Sequence, residues 1–179
     1  SDLVAGEYLQ SVMLGCEIRF SDRNLPEVIC ANLDEGRIEE IAEKELTEYR
    51  GCKEIAAQMD YLEEKYGYVE SHVDLHGVQN LALDLRGLEL FIDYYDQPRI
   101  AQKLLGSCAV LIRRVGEYLS RRSRTRSAGV TSIMKQIDPS IFVTSNCTVE
   151  MVSNEVYETH LLQWDNYLAS GFKRFGLHH

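Results

Sequence analysis

Two segments of the sequence place chemically competent side chains directly after an apolar run. Asn146 and Cys147 follow the β-forming run from Ile141 to Thr144, and His178 and His179 close a second apolar segment. Imidazole and thiolate are ligands that zinc prefers, and a cysteine can also act as a nucleophile. Asn146 could hydrogen-bond a substrate amide or carboxylate. The common alternative for Cys147 is a small buried side chain with no chemical role.

A further group lies in the middle of the chain, where His76 and Gly77 mark the end of a predicted strand from Tyr68 to Leu75. Asp84 follows on the next predicted helix, and a carboxylate there could orient a ligand or a metal-bound histidine. The alternatives are that Asp84 faces solvent and that His76 only caps the turn at Gly77. The sequence pattern leaves both interpretations open.

These side chains can act together only in a fold that brings the ends of several strands together, and the sequence pattern predicts such a fold. Predicted strands alternate with predicted helices, which indicates an α/β fold with parallel strands. In such folds the loops after the carboxyl ends of the strands hold the chemistry. We therefore expect the site where Asn146, Cys147 and His178 follow their strands.

Helical periodicity marks the segments between the strands. It predicts a helix from Val4 to Leu14 and a long apolar stripe that begins near Gly36 and is interrupted at Gly51. Asp96 is the predicted cap of another long helix, because Pro98 suits its first turn.

The last predicted helix begins after Ser153, a suitable N-cap, and ends near Gly171. Trp164 is predicted to pack this helix onto the sheet. The preceding long helix ends in a basic run that includes Arg113, Arg114, Arg121 and Arg122. Helices of a βα repeat run back along the strands, so we expect these arginines at the face opposite the site.

Composition excludes several classes of function. The net charge is −9, from 28 acidic and 19 basic residues, and this argues against a general affinity for nucleic acid or anionic membranes. No apolar run is long enough for a membrane helix, so a cytoplasmic location is the default expectation. The five cysteines have no CxxC spacing, which argues against a disulfide scaffold.

Length limits the architecture. A closed (β/α) barrel needs eight strands and about 250 residues, whereas this chain has 179 residues and roughly half as many predicted strands. We therefore expect residues 1–179 to form one partial barrel domain of a longer protein.

Four motifs, in order, resemble the uroporphyrinogen decarboxylase superfamily. The segment DLHGVQNLALDLRGLELFIDYYDQP resembles its Gly-Pro-x-Thr-Leu-Ala turn, Arg-Gly and Asp-x-Pro helix start. The segments YLQSVMLGCEIRF and SNCTVEMVSNEVYETHLLQWDNYL are similar to an early strand and to a later loop and helix of that superfamily. FGLHH is similar to the strand that continues as Cys-Gly in its methyltransferase branch. The resemblance implies a TIM-type barrel, present here without its amino-terminal part and last strands.

The same resemblance favours the methyltransferase branch over the decarboxylases. Asp84 stands where the decarboxylases carry a tyrosine, Cys147 where they carry a serine, and Asn146 where an acidic residue is frequent. His178 matches the first position of the His-x-Cys zinc pair of the methyltransferases, with the cysteine expected two residues later. His76 would lie beside the cofactor.

The resemblance thus implies a zinc-dependent methyltransferase or demethylase whose partner is a corrinoid protein or a small methyl donor or acceptor. A porphyrinogen decarboxylase is the alternative. A second alternative is a catalytically inactive fragment whose open strand edge is covered by a partner or by another copy of the chain.

Overall fold

The computed structural model describes residues 2–5, 8–124, 138 and 140–178, with only the backbone described for residues 2–5, 42 and 72. The fold is mixed α/β, mostly helical with small sheets. The strands are β1 (Asp2–Ala5), β2 (Glu17–Arg19), β3 (Glu27–Ile29), β4 (Glu70–Val73), β5 (Phe142–Ser145) and β6 (Phe175–His178). The helices are α1 (Leu9–Met13), α2 (Glu35–Glu43), α3 (Arg50–Tyr66), α4 (Val78–Arg86), α5 (Glu89–Asp96), α6 (Pro98–Arg122), α7 (Asn154–Val156) and α8 (Leu162–Ser170).

The strands form three two-stranded ladders. β1 pairs with β4 and β5 pairs with β6, both in parallel, and β2 and β3 form an antiparallel pair. A parallel bridge between His76 and Ser145 joins the end of β4 to the end of β5. The order β1, β4, β5, β6 is therefore a run of parallel strands whose carboxyl ends meet.

Local sequence explains where the main helices begin and end. Asp34 caps α2 by accepting a hydrogen bond from the Arg37 backbone N–H at 3.0 Å. Gly67 ends α3 in the left-handed conformation with φ +78°, which a glycine adopts without strain. Pro98 is the first residue of α6, where it has no hydrogen bond to lose.

The longest helix, α6, is the centre of the core. Its buried stripe packs against α2, α4, α5 and α8. Phe142 of β5 is fully buried against this helix, and its ring stacks on Phe172 with 3.8 Å between ring centroids. A Cβ added at Gly116 of α6 would lie only 2.5 Å from the Phe142 ring. The strand reaches the helix because residue 116 has no side chain.

Several predictions about the helices were wrong. Asp2–Ala5 is a strand rather than the start of a helix, since it pairs with β4, and α1 begins only at Leu9. Gly51 lies inside α3, and the interruption comes earlier, at the 3₁₀ turn Leu46–Glu48. Asp96 is the last residue of α5 and does not cap α6.

The last helical segment is also less regular than predicted. Ser153 is the N-cap and accepts a hydrogen bond from Val156 N–H at 3.2 Å, as expected. A π-helical turn, Tyr157–Leu161, then separates α7 from α8. Trp164 packs against Gly106 of α6.

The arginines at the end of α6 lie away from the strand ends, as predicted. The backbone N–H of Arg124 donates to the carbonyl of Val69, at the amino end of β4, with an N–O distance of 2.9 Å. Arg113 and Arg121 pair with Glu117 of the same helix. Arg114 pairs with Glu45 of a neighbouring loop, and Arg122 pairs with Asp60 of α3. Their role is structural.

Replacing Gly116 with alanine should lower the free energy of unfolding by about 1–3 kcal/mol, the usual cost of overpacking a core. Gly36→Ala is the control, because a Cβ there would lie 3.5 Å from the nearest side-chain atom, at ordinary contact distance. The control should leave stability unchanged or raise it by up to about 1 kcal/mol. Chemical denaturation measures both, and a Gly116→Ala protein as stable as the control would contradict this packing of Phe142.

Candidate functional site

Three side chains line up across the carboxyl ends of β4, β5 and β6. His76 is opposite Ser145 in one parallel bridge, and Ser145 is opposite His178 in the β5–β6 ladder. Residues in register on neighbouring strands point to the same face, and strands lie about 4.8 Å apart. His76 and His178 are therefore separated by one strand, about 10 Å at the backbone. This confirms the expectation that the polar residues gather at one edge.

A thiol and an imidazole, those of Cys147 and His178, are in contact at the end of this row. Cys147 lies directly beyond β5, and its Sγ is 3.5 Å from Nδ1 of His178. Cys147 is exposed and His178 is half-buried. The alternative of a small buried Cys147 was thus wrong, because the turn after β5 directs the thiol towards the end of β6. His179 lies outside the described residues.

The other cysteines do not share this environment. Cys16, Cys52 and Cys108 are buried. Burial raises the pKa of the Cys16 thiol to about 12 and also raises the pKa values of the Cys52 and Cys108 thiols. Thiols of this kind remain protonated and unreactive at neutral pH. Cys147 is the exposed cysteine among the described residues.

Asn146 has a structural task at the site. Its side-chain oxygen accepts hydrogen bonds from the backbone N–H groups of Gln79 and Asn80 at 3.1 and 3.3 Å, and so caps the first turn of α4. A Cβ at Gly77 would lie 2.5 Å from the Asn146 side chain, so only glycine permits this approach. The buried Nδ2 of Asn146 has no hydrogen-bond partner among the described residues.

His76 and Asp84 are adjacent, as the hypothesis of an orienting carboxylate requires. Nδ1 of His76 lies 3.2 Å from Oδ2 of Asp84. The Asp84 side chain is largely buried and accepts a 2.5 Å hydrogen bond from the Ser11 hydroxyl, so Asp84 does not face solvent. Gln10 of α1 accepts a hydrogen bond from the His76 backbone N–H at 2.8 Å. Helix α1 thus fixes the position of Asp84 through Ser11 and that of His76 through Gln10.

Sequence reasoning missed a buried carboxylate at the site. Asp74 is only 7% exposed, and its Oδ1 accepts a hydrogen bond from the Ser145 hydroxyl at 3.2 Å. Asp74 lies two residues before His76 along the same extended segment, so the alternation of strand side chains places both on one face. An acidic residue inside a predicted strand was the signal that could have revealed it.

A cavity of about 450 Å³ lies next to this row. Its lining includes Asn146, Leu177 and Tyr157. Because neighbouring residues of a strand point to opposite faces, the cavity is on the other side of the strand ends from His178. The Tyr157 hydroxyl donates to Asp165 at 2.9 Å, and burial raises the pKa of Tyr157 to about 12 and also raises that of Asp165.

The described residues supply two strong zinc donors but not a complete set. Cys147 and His178 offer a thiolate and an imidazole, which suit a tetrahedral zinc site. Within residues 8–124, 138 and 140–178, no three His, Cys, Asp or Glu side chains are grouped closely enough to hold a metal ion. Cys147 and His178 could therefore supply two of the four ligands of a tetrahedral zinc site.

Comparisons with known proteins identify the fold. The chain is similar to a methyltransferase from Methanosarcina mazei, with a TM-score of 0.74 and 12% sequence identity over 98% of this chain. The match covers 50% of that methyltransferase, so the chain spans half its length. At this identity the similarity shows a shared fold. No model of a protein family and no curated protein matched the sequence.

The part of the chain that the structure describes contains no helix with the length and apolar character needed to cross a membrane.

Asn146→Ala should destabilise the protein by about 1–2 kcal/mol, because it removes the acceptor of two N–H groups at the start of α4. Asn24→Ala, in an exposed loop, is the control and should change stability by less than about 0.5 kcal/mol. Thermal and urea unfolding would show the difference. Equal effects of the two substitutions would mean that α4 does not depend on this cap.

Proposed function

We propose that the complete protein is a zinc-dependent methyltransferase or demethylase of the uroporphyrinogen decarboxylase superfamily. The chain would form part of its TIM-type barrel, in the cytoplasm. The fold shared with the archaeal methyltransferase supports this proposal, as do the parallel strands with polar residues at their carboxyl ends. Residues 1–179 would then be one partial barrel domain.

The observation that carries the proposal is the 3.5 Å contact between Cys147 and His178. A thiol and an imidazole at the ends of adjacent parallel strands are the donors expected of a metal-dependent transferase. When bound, zinc provides an open position where a thiol or hydroxyl substrate can lose its proton at neutral pH. Cys147 and His178 would hold the metal, and the remaining donors would come from outside this pair.

The neighbouring residues would shape the space for substrate. Ser145 lies in register beside His178, and its hydroxyl is fixed by the buried carboxylate of Asp74. His76, held beside Asp84, occupies the other end of the row, where a cofactor or substrate could contact it. These side chains come from three different strand ends, as in other α/β enzymes.

The partner in this proposal is a corrinoid protein or a small methyl donor or acceptor. The resemblance of FGLHH and its preceding motifs to the methyltransferase branch supports that choice. A porphyrinogen decarboxylase is less favoured, because Asp84 replaces the tyrosine of that branch and is paired with His76 and Ser11.

An inactive fragment that acts through a partner is the second alternative. Among the described residues, β6 pairs on one side, with β5, and Phe175 and Leu177 are half-buried. Such an edge can accept another strand, from a partner or from another copy in a homo-oligomer.

Zinc binding tests the proposal. The complete protein should bind zinc, and Cys147→Ser and His178→Ala should each lower its affinity at least about tenfold, because loss even of an outer partner of a zinc ligand has that effect. Cys30→Ser is the control and should leave affinity unchanged, because this thiol lies beside Gly87 at the end of α4, whereas the site lies at the start of that helix. Competition with a chromophoric chelator measures all four proteins.

Activity separates the two enzyme classes. The complete protein, loaded with zinc, should transfer a methyl group between methylcobalamin and a small thiol such as 2-mercaptoethanol, and should leave uroporphyrinogen unchanged. Metal-independent decarboxylation of uroporphyrinogen would overturn the methyltransferase proposal. Absence of zinc binding with both reactions absent would favour the inactive fragment.

A further inference from the structure

The two residues that flank Cys147 are both bound to the first turn of α4. On one side, the Asn146 side chain caps the N–H groups of Gln79 and Asn80. On the other side, the backbone N–H and the hydroxyl of Thr148 both donate to Oδ1 of Asn80, at 3.0 and 2.6 Å. We refer to Gln79, Asn80, Asn146 and Thr148 as the loop cluster.

A further bond closes the loop cluster. Nε2 of Gln79 donates to the backbone carbonyl of Thr148 at 2.7 Å. Thr148 is therefore fixed through its N–H, its hydroxyl and its carbonyl, all by two consecutive residues of α4. The hydrogen bonds between α4 and the loop after β5 run in both directions, because Asn146 accepts from α4 and Thr148 donates to it. Such reciprocal bonding restricts the loop more than one bond would.

Cys147 lies between these two fixed residues and has its thiol outside the cluster. The Asn146 backbone N–H also donates to the carbonyl of His178 at 2.8 Å, so the backbone of His178 is bound to the same short segment. The loop cluster fixes the backbone on both sides of Cys147, and the β5–β6 ladder fixes the backbone of His178. The 3.5 Å contact between thiol and imidazole follows from these two restraints.

We propose that Asn80 is a positioning residue for Cys147, whose side-chain oxygen holds the loop so that the thiol stays beside His178 and both can bind one zinc ion. This inference rests on the proposed zinc site for its metal-binding part. Asn80 itself does not touch the metal. Preorganised donors bind more tightly because the loop does not have to be ordered during binding.

The first test needs no metal. When Asn80 is unaltered, Cys147→Ser should shift the NMR resonances of the His178 ring, because the side chains of residues 147 and 178 are in contact. In an Asn80→Ala background the same Cys147→Ser change should leave the His178 resonances almost unmoved, since the thiol has already left the ring. Equal shifts in both backgrounds would overturn the proposal.

The second test uses Zn²⁺ alone as the probe. Asn80→Ala should weaken zinc binding about tenfold or more, the range seen when a partner of a metal ligand is removed. Asn80→Asp keeps an acceptor oxygen for Thr148 and should restore most of the affinity. Asn154→Ala is the matched control, because Asn154 is also in the first turn of a helix near the loop but lies outside the loop cluster. It should bind zinc like the unaltered chain.

Cobalt substitution distinguishes positioning from a general loss of stability. The absorption band for charge transfer from thiolate to Co²⁺ should be present in the chain with Asn80 and weak in Asn80→Ala, while circular dichroism shows both to be folded. Unchanged affinity and an unchanged band in Asn80→Ala would overturn the proposal. If the complete protein, unaltered, binds neither Zn²⁺ nor Co²⁺, the proposed zinc function fails, and the NMR comparison alone decides whether Asn80 positions Cys147.

Discussion

The backbone hydrogen bonds of β5 are the constraint on which the candidate site depends. Ser145 donates to the carbonyl of Leu75 at 2.9 Å and accepts from Gly77 at 2.6 Å, and Asn146 donates to the carbonyl of His178 at 2.8 Å. One short strand thus sets the register of both neighbours. Because strand side chains alternate between faces, a slip of one residue would turn Ser145 or His178 to the opposite face and separate His178 from Cys147.

The helices make this strand arrangement possible. Phe142 anchors the start of β5 against α6, where Gly116 leaves room for its ring. At the other end of the strand, the approach of Asn146 to Gly77 brings the loop after β5 onto the first turn of α4. The close approaches at Gly116 and Gly77 therefore fix the position and direction of β5. They also fix the position of Cys147, which follows β5 directly.

Local sequence predicted the features that depend on neighbouring residues. The strands that contain Val73, Val143 and Gly176, the cap at Ser153 and the collection of polar residues at the strand ends were all identified. These features follow from β-forming runs, capping side chains and turn residues. The structural role of the arginines on α6 followed from the direction in which a helix returns along a parallel sheet.

Features that depend on long-range pairing were missed or left open. Asp2–Ala5 is a strand because β4 lies beside it, and no local pattern shows that partner. The contact between Cys147 and His178 joins residues 31 positions apart and follows from the β5–β6 register. Asp84 has an ordinary helical position, and only the packing of α1 against α4 shows that Ser11 and His76 surround it.

The central claim is that Cys147 and His178 bind the same zinc ion. X-ray absorption spectroscopy at the zinc edge of the zinc-loaded chain tests it most directly, because it reports the type and distance of the donor atoms. The structure predicts a sulfur at about 2.3 Å together with an imidazole nitrogen at about 2.0–2.1 Å. A spectrum with only nitrogen and oxygen donors would contradict the claim.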